Sequence, residues 1–212
     1  RPGGPAGSMT RPAAALPPRF EARASLSTAT SPRVVAAFDR ETGRRVVLKI
    51  AAGAGSEETL ALRKEFRLLA SLDHPSIVKA RDFGVTPDGR AWFSTDEVDG
   101  PDLAAFAREH APLENLAALA DVAHALAYVH SRGIVHGDVK PQNVRVLGER
   151  AVLLDFGLAF ARGEEVAGIR GTPAYLAPEI LRGGVPDRRA DLYALGVTFY
   201  EALTGVLPTA GR

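Results

Sequence analysis

Two short segments at a fixed spacing constrain this chain more than any other feature. The first reads His-Gly-Asp-Val-Lys-Pro-Gln-Asn over residues 136–143, and Asp155-Phe156-Gly157 follows twelve residues after Asn143. Both segments carry carboxylate or amide oxygens, which are the hard ligands that Mg²⁺ prefers. The two segments together therefore indicate a site for a metal-bound phosphate, and such a site favours phosphoryl-transfer chemistry.

An apolar run at residues 46–50, Val-Val-Leu-Lys-Ile, predicts a buried strand that carries a single cation. Sixteen residues on, Glu65 lies among apolar residues at helical spacing, with Ser56 as a candidate N-cap. A buried ammonium group needs a counter-ion, so we expect Lys49 to pair with Glu65. The alternative is an exposed ion pair, which contributes only about 0–1 kcal/mol.

Strand-like patterns dominate the first half of the chain and helical patterns the second. Strands are predicted over residues 20–26, 33–39, 45–50, 78–83 and 91–95, with turns at residues 41–43 and 86–89. Helices are predicted over residues 103–109 and 116–130, and Gly133 is expected to end the second of these. The order predicts an α+β chain, with a small antiparallel lobe that includes one helix, followed by a mainly helical lobe.

Three further segments follow in order: Gly171-Thr172-Pro173-Ala174-Tyr175, Ala177-Pro178-Glu179, and an apolar helix that opens at Asp191. With the segments above, they resemble the motif set of eukaryotic-like (Hanks-type) serine/threonine protein kinases. The resemblance runs from about Phe20 to Pro208. It implies a bilobal protein-kinase-like fold, with the N-lobe and hinge over residues 20–98 and a partial C-lobe over residues 99–212. Because family members continue with further helices, we expect an incomplete C-lobe and weak activity of this fragment.

The resemblance also implies an ATP-dependent, non-specific serine/threonine protein kinase that uses Mg²⁺ and acts on hydroxyl groups of protein substrates. Asp138 is implied as the catalytic base and Lys140 as the cation beside the γ-phosphate. Asn143 and Asp155 are implied as the metal ligands. Turn-forming Asp and Asn residues are the ordinary alternative for these positions.

Further residues are implied in nucleotide binding. They are Leu26, Val34, Val47, Lys49, Glu65, Thr95, Asp96, Val98 and Arg145. Residues 96–98 would form the hinge whose backbone binds adenine, although an ordinary interlobe linker would read the same way. Thr95 would guard the pocket behind the hinge, and the methylene stem of Arg145 would lie beneath adenine. His136, Phe156 and Leu69 are expected to form an apolar column that links the lobes.

The chain departs from the family upstream of Lys49. Aligned on Val34, the three positions of the glycine-rich phosphate loop hold Ser27, Ala29 and Pro32. Without glycine the backbone cannot approach the phosphates as closely, and proline offers no N–H group. We therefore expect weaker nucleotide binding than is usual for the family.

Composition limits the remaining function classes. The net charge of +1 gives no reason to expect nucleic acid as a partner, and no apolar window approaches the ~18 residues of a membrane span. The absence of cysteine fits a reducing compartment, so a cytoplasmic location is expected. Arginine outnumbers lysine 22 to 4, which is typical of a GC-rich bacterial genome. The sequence predicts no oligomeric state.

Residues 1–19 are rich in proline, glycine, alanine and arginine, which predicts a leader outside the fold. Residues 1–8 precede the only methionine, Met9, and are interpreted as a tag remnant or an upstream linker. Two rival functions stay open. One is a small-molecule phosphotransferase of the aminoglycoside type, and the other is a pseudokinase that binds nucleotide or partners without catalysis.

Overall fold

A five-stranded antiparallel sheet forms the first half of the molecule. The computed structural model describes residues 16–26, 33–55, 57–161 and 170–208. The strands lie in the order β1-β2-β3-β5-β4. Their bounds are β1 Phe20–Ser25, β2 Arg33–Asp39, β3 Arg44–Ile50, β4 Ala80–Val85 and β5 Ala91–Asp96.

Glycines at left-handed backbone angles make the two hairpin turns that the sequence predicts. Gly43 has φ 67° between β2 and β3, and Gly89 has φ 82° between β4 and β5. Side chains with a Cβ atom rarely adopt these angles, so glycine is the residue that fits. The pairings β2–β3 and β4–β5 follow from these turns, and β3 pairs with β5 to join the two hairpins.

The start of β4 differs from the prediction by two residues. The strand begins at Ala80 rather than Val78, because the N–H of Val78 donates to the carbonyl of Leu153 at 3.0 Å. Ile77 forms a parallel bridge to the same Leu153. Residues 77 and 78 therefore pair with a strand of the second half of the chain and connect the two halves.

One helix, α1 (Glu57–Ala70), packs against the sheet and buries Leu62, Glu65 and Leu69. Glu57 and Glu58 lie in its first turn, where they complement the positive end of the helix dipole. The predicted N-cap, Ser56, lies outside the described residues.

Helices dominate the second half of the chain. The elements are α2 Leu103–Glu109, α3 Pro112–Ser131, β6 Ile134–Val135, β7 Val144–Leu147, β8 Arg150–Leu153, β9 Phe160–Ala161, α4 Pro178–Leu181 and α5 Arg188–Thr204. One apolar core runs through both halves and contains Phe93 of the sheet together with Val122 and Leu126 of α3. The α+β, two-lobed architecture is confirmed. No helix within the described ranges has both the length and the apolar character needed to cross a membrane.

The start of α3 was predicted four residues too late. The helix begins at Pro112, and the side chain of Glu114 accepts a hydrogen bond from the N–H of Ala111 at 2.9 Å. Proline at the first helical position and a glutamate that caps the N-terminus are both start signals. The prediction used apolar spacing and gave no weight to these two signals, so it missed the first turn.

The ordered fold also begins earlier than Phe20, within the stretch predicted as a leader. Arg19 forms ion pairs with Asp39 at 2.8 Å and with Asp82 at 2.7 Å, and its guanidinium lies over the rings of Phe20 and Trp92. These contacts attach residue 19 to four strands of the sheet, β1, β2, β4 and β5. Residues 1–15, including the interpreted tag remnant, lie outside the described residues.

Candidate active site

One face of the sheet carries the strand residues that were predicted to bind nucleotide. Val34 of β2 lies opposite Lys49 of β3, and Val47 of β3 lies opposite Thr95 of β5. Directly opposed residues of antiparallel strands point to the same face, as do residues two apart on one strand. The fold therefore brings Val34, Val47, Lys49 and Thr95 together. Leu26 follows β1, and its N–H donates to the carbonyl of Val34 at 2.9 Å.

Lys49 bridges two carboxylates. Its Nζ atom lies 2.6 Å from Oε1 of Glu65 and 2.6 Å from Oδ1 of Asp155. The expected pair with Glu65 is therefore confirmed, and it is buried, with side-chain exposures of 14% for Lys49 and 6% for Glu65. The sequence did not predict that Asp155 also contacts the same ammonium group.

The charges of this cluster shift the ionisation of its members. Burial alone would lower the pKa of Lys49, but the carboxylates of Glu65 and Asp155 outweigh it and raise that pKa. Burial also raises the pKa of Glu65, and Asp155 adds to the rise while Lys49 opposes it. For Asp155, Lys49 overcomes the effect of burial and lowers the pKa. At neutral pH, Lys49 and Asp155 are thus oppositely charged.

The backbone presents Asp155 in an unusual conformation at the end of β8. Its φ of 55° is the one positive value at a non-glycine residue within the described ranges. Non-glycine residues occupy this region at a cost and mostly where the surroundings impose it. Oδ1 of Asp155 accepts hydrogen bonds from Lys49 and from the N–H of Gly157, whereas Oδ2 accepts none from the described residues.

A hydrogen-bonded cluster surrounds Asp138. Oδ1 accepts from the hydroxyl of Thr172 at 2.9 Å, and Oδ2 accepts from Nδ2 of Asn143 at 2.9 Å. Lys140 contacts Asp138 and Thr172, since its Nζ lies 2.6 Å from Oδ2 of Asp138 and 2.8 Å from the Thr172 hydroxyl. The four residues come from two segments that lie about thirty positions apart, and the fold places them within direct contact.

The two acidic segments meet through the hairpin of β7 and β8. The N–H of Leu154 donates to the carbonyl of Asn143 at 2.8 Å, and Asp155 is the next residue along the chain. The Nδ2 atom of Asn143 donates two hydrogen bonds to Asp138, one to its carbonyl and one to its carboxylate. Among the described residues, Oδ1 of Asn143 accepts no hydrogen bond.

The donor set fits a magnesium ion that also binds phosphate. No cluster of three or more His, Cys, Asp or Glu side chains suited to a metal occurs in the described part of the chain. Mg²⁺, however, usually takes one or two protein oxygens and completes its shell with water and substrate phosphates. Oδ2 of Asp155 and Oδ1 of Asn143 are the oxygens left free by the internal hydrogen bonds.

Asp191 braces the backbone of the loop that leads to Asp138. This carboxylate is 1% exposed and accepts hydrogen bonds from the N–H groups of His136 at 2.8 Å and Gly137 at 2.9 Å. It also contacts Nε2 of His130 at 2.7 Å, a partner that the sequence did not predict. The ring of His136 meets Phe156 edge-on at 4.6 Å, and both are buried, as is Leu69. His136 is therefore structural.

The segment between the lobes continues directly from β5, the strand of Thr95. The N–H groups of Asp96 and Glu97 are used by carbonyls of Lys79 and Arg45, whereas the N–H of Val98 finds no protein acceptor among the described residues. The side chain of Asp96 turns to Arg81 and leaves only its backbone for a ligand. Residues 96–98 thus have the free backbone donor that an adenine site requires.

Arg145 occupies the predicted floor position on β7. Its Nη1 atom donates to the carbonyl of Gly100 at 3.2 Å, which directs the guanidinium toward the interlobe segment. Arg145 is half-buried, whereas its neighbours on the strand, Val144 and Val146, are fully buried. The three positions of the missing phosphate-loop glycines, Ser27, Ala29 and Pro32, lie outside the described residues.

Comparison with known proteins gives consistent results. The protein kinase domain matches residues 21–212. The chain is 36% identical over 187 residues to serine/threonine-protein kinase pkn2 of Myxococcus xanthus, covering 80% of this chain and 22% of that protein. It is 37% identical over 219 residues to the DNA damage-responsive serine/threonine-protein kinase RqkA of Deinococcus radiodurans, covering 94% and 32%.

A third relative is serine/threonine-protein kinase PkaA of Streptomyces coelicolor, which is 37% identical over 198 residues and is covered to 36% of its length. These relatives are all bacterial. The chain spans between about a fifth and about a third of the length of these curated relatives.

Proposed function

The chain belongs to the protein kinase family, and from that premise we propose that it transfers the γ-phosphoryl group of ATP to serine and threonine hydroxyls of proteins. The observation that carries the proposal is the position of Lys49, whose ammonium group contacts Glu65 of α1 and Asp155 of the helical lobe at 2.6 Å each. This contact aligns the two lobes around one cavity. Use of ATP and a divalent metal is implied by the family.

Each side chain in the cavity has one task in this reaction. Lys49 binds the α- and β-phosphates, and Glu65 holds its ammonium group in place. Asp155 and Asn143 would hold Mg²⁺ through the oxygens that accept no internal hydrogen bond. The metal, when bound, neutralises charge on the phosphates and so favours departure of the terminal phosphoryl group.

Asp138 orients the substrate hydroxyl and takes its proton as the new phosphorus–oxygen bond forms and the bond to the β-phosphate oxygen breaks. Lys140 lies beside it and neutralises the negative charge on the moving group. The hydroxyl of Thr172, which now donates to Oδ1 of Asp138, yields this position to the incoming hydroxyl. The contact of Lys140 with Thr172 supports a serine/threonine rather than a tyrosine substrate.

The nucleotide lies against the sheet face formed by Leu26, Val34 and Val47, with Thr95 at the back of the pocket. The backbone of Asp96 and Val98 binds adenine, and Arg145 lies beneath it. We assign residues 20–98 to the N-lobe and hinge and residues 99–212 to the C-lobe. We propose the cytoplasm as the location of this activity.

The test is transfer of labelled phosphate from ATP to a generic protein substrate. Lys49→Ala and Asp155→Asn should each lower the transfer rate by at least about 100-fold, since each removes a charge that acts in the transition state. Lys79→Ala and Asp73→Asn are matched controls, because these side chains form an exposed pair outside the cavity. Transfer that persists in both site variants contradicts the assignment.

The same assay separates the rival functions. Binding of nucleotide without transfer to protein would favour a pseudokinase. Transfer to an aminoglycoside or another small alcohol, but not to protein, would favour a small-molecule phosphotransferase. Either outcome contradicts the proposed function.

A further inference from the structure

Three acidic side chains in the segment between the lobes are each held by an arginine from a different strand of the sheet. The pairs are Asp96 with Arg81 of β4, Glu97 with Arg23 of β1, and Asp99 with Arg45 of β3. The nitrogen–oxygen distances are 2.6 Å from Arg81 Nε, 2.7 Å from Arg23 Nη1 and 2.7 Å from Arg45 Nη2. We call these three pairs the arginine clamp.

Backbone hydrogen bonds attach the same segment to the sheet. The N–H of Asp96 donates to the carbonyl of Lys79 at 3.0 Å, and the N–H of Glu97 donates to the carbonyl of Arg45 at 3.2 Å. Arg45 also places Nε 3.7 Å from the Glu97 carboxylate. From residue 96 to residue 99, the segment is therefore fixed to the N-lobe.

The next residues are fixed to the other lobe. The carbonyl of Gly100 accepts from Nη1 of Arg145, and the carbonyl of Pro101 accepts from the N–H of Val146 at 3.0 Å. Gly100 lies so close to β7 that an added Cβ atom would be 1.9 Å from the carbonyl oxygen of Val146. One short-range bond crosses the next junction, from the N–H of Gly100 to the carbonyl of Val98 at 3.1 Å. Apart from that bond, the attachment changes from one lobe to the other between Asp99 and Gly100.

We propose that the interlobe pivot is confined to the Asp99–Gly100 junction, and that Arg23 and Arg45 are positioning residues that hold the adenine-binding backbone in place. The role in adenine binding rests on the proposed kinase function. The pivot itself rests only on the contacts above. The arginines touch no substrate and act through Glu97 and Asp99.

The exposure of the clamp sets the size of the expected effect. Arg23 and Arg45 are 42% and 46% exposed, and Arg45, Asp96 and Glu97 line an open cavity of about 670 Å³ behind the hinge. Exposed ion pairs are individually weak and are screened by salt. Loss of Arg23 and Arg45 should therefore loosen the segment without unfolding the lobe. It should also reduce the fraction of molecules ready to bind nucleotide.

The test compares Arg23→Ala/Arg45→Ala with the unchanged chain by hydrogen exchange in the absence of nucleotide. Exchange should become about tenfold faster at the hydrogen-bonded amides of Asp96 and Glu97 and stay unchanged in β2 and β7. Arg40→Ala is the matched control, since its exposed pair with Glu21 lies on the same sheet away from the hinge. Unchanged exchange at the amides of Asp96 and Glu97, or equal acceleration across the whole sheet, overturns the proposal.

Nucleotide kinetics form the second readout. The double variant should raise the KM for MgATP about three- to tenfold and leave kcat within about twofold, because the chemistry is untouched. Glu97→Gln should reproduce the KM change, since it removes the charge shared by both arginines. An unchanged KM overturns the positioning role. If the unchanged chain binds no nucleotide, the kinase assignment fails, and hydrogen exchange still decides the pivot.

Discussion

Replacing Lys49 with methionine tests whether Lys49 is the buried counter-ion of Glu65. The contacts of 2.6 Å from its Nζ to Glu65 and to Asp155 indicate that it is. The change leaves the carboxylate of Glu65, 6% exposed, without a partner. Removing one member of a buried pair typically costs about 3–5 kcal/mol, and the half-exposed Asp155 should add little. Glu65 can escape part of the cost by taking up a proton.

Protonation of Glu65 limits the loss of stability, and the limit depends on pH. An unfolded glutamate has a pKa near 4.3, so protonation costs about 1.4 kcal/mol per unit above it, or about 3.7 kcal/mol at pH 7 and about 1 kcal/mol at pH 5. Without its lysine, Glu65 has a folded pKa raised above the unfolded value. The penalty is therefore present above the folded pKa and disappears as pH falls toward the unfolded one.

The assay is urea unfolding of Lys49→Met and the unchanged chain at both pH values. The variant should lose about 3 kcal/mol at pH 7 and about 1 kcal/mol at pH 5. Lys79→Met is the control and should show no pH-dependent loss, since Lys79 lies 3.9 Å from an exposed carboxylate. A loss below about 1 kcal/mol at pH 7, or an equal loss at both values, would refute the buried counter-ion.

Three other predictions concern the frame of the site. Asp191→Asn removes a buried charged acceptor of three hydrogen bonds and should lower the free energy of unfolding by about 2–4 kcal/mol in thermal or urea melts; a neutral change would contradict its bracing role. Gly84→Ala should shift the emission of Trp92, the only tryptophan, because the new Cβ would lie 2.6 Å from its ring. Gly196→Ala, in open space on a helix, should leave that emission unchanged and stabilise slightly. Thr172→Ala should reduce kcat, and Thr172→Ser should restore it, since the hydroxyl orders Lys140; equal rates would exclude that role.

Local signals in the sequence predicted the elements whose cause is itself local. Gly43, Gly89 and Gly133 mark turns and a helix end, and each has the positive φ that glycine permits. The apolar run around Lys49 likewise predicted a buried strand that carries a single cation. These features depend on neighbours along the chain, so sequence reasoning reaches them.

Contacts between residues far apart in the chain were harder to predict from the sequence. The pair of Arg23 with Glu97 joins residues 74 positions apart, and nothing in either neighbourhood distinguishes these side chains from ordinary solvated charges. The partnership of His130 with Asp191 spans 61 positions. The motif resemblance supplied the candidate catalytic residues. It did not supply the arginine clamp, because no pattern along a single strand indicates which acidic residue each arginine contacts.

The predicted starts of β4 and α3 were wrong for different reasons. Residues 77 and 78 carry strand-like side chains, yet they bond to Leu153 rather than to β5, so a partner elsewhere in the fold decides the start of β4. The start of α3 is set locally, by Pro112 and by the Glu114 side chain that accepts from the N–H of Ala111. A prediction from apolar spacing alone does not use these two signals.

A crystal structure with Mg²⁺ and a non-hydrolysable ATP analogue tests the central claim most directly. The account predicts a metal ion at about 2.1 Å from Oδ2 of Asp155 and Oδ1 of Asn143, with Lys49 on the α- and β-phosphates. It also predicts the γ-phosphate facing Asp138. A nucleotide bound outside this cavity, or a metal ion held without Asp155 and Asn143, would contradict it.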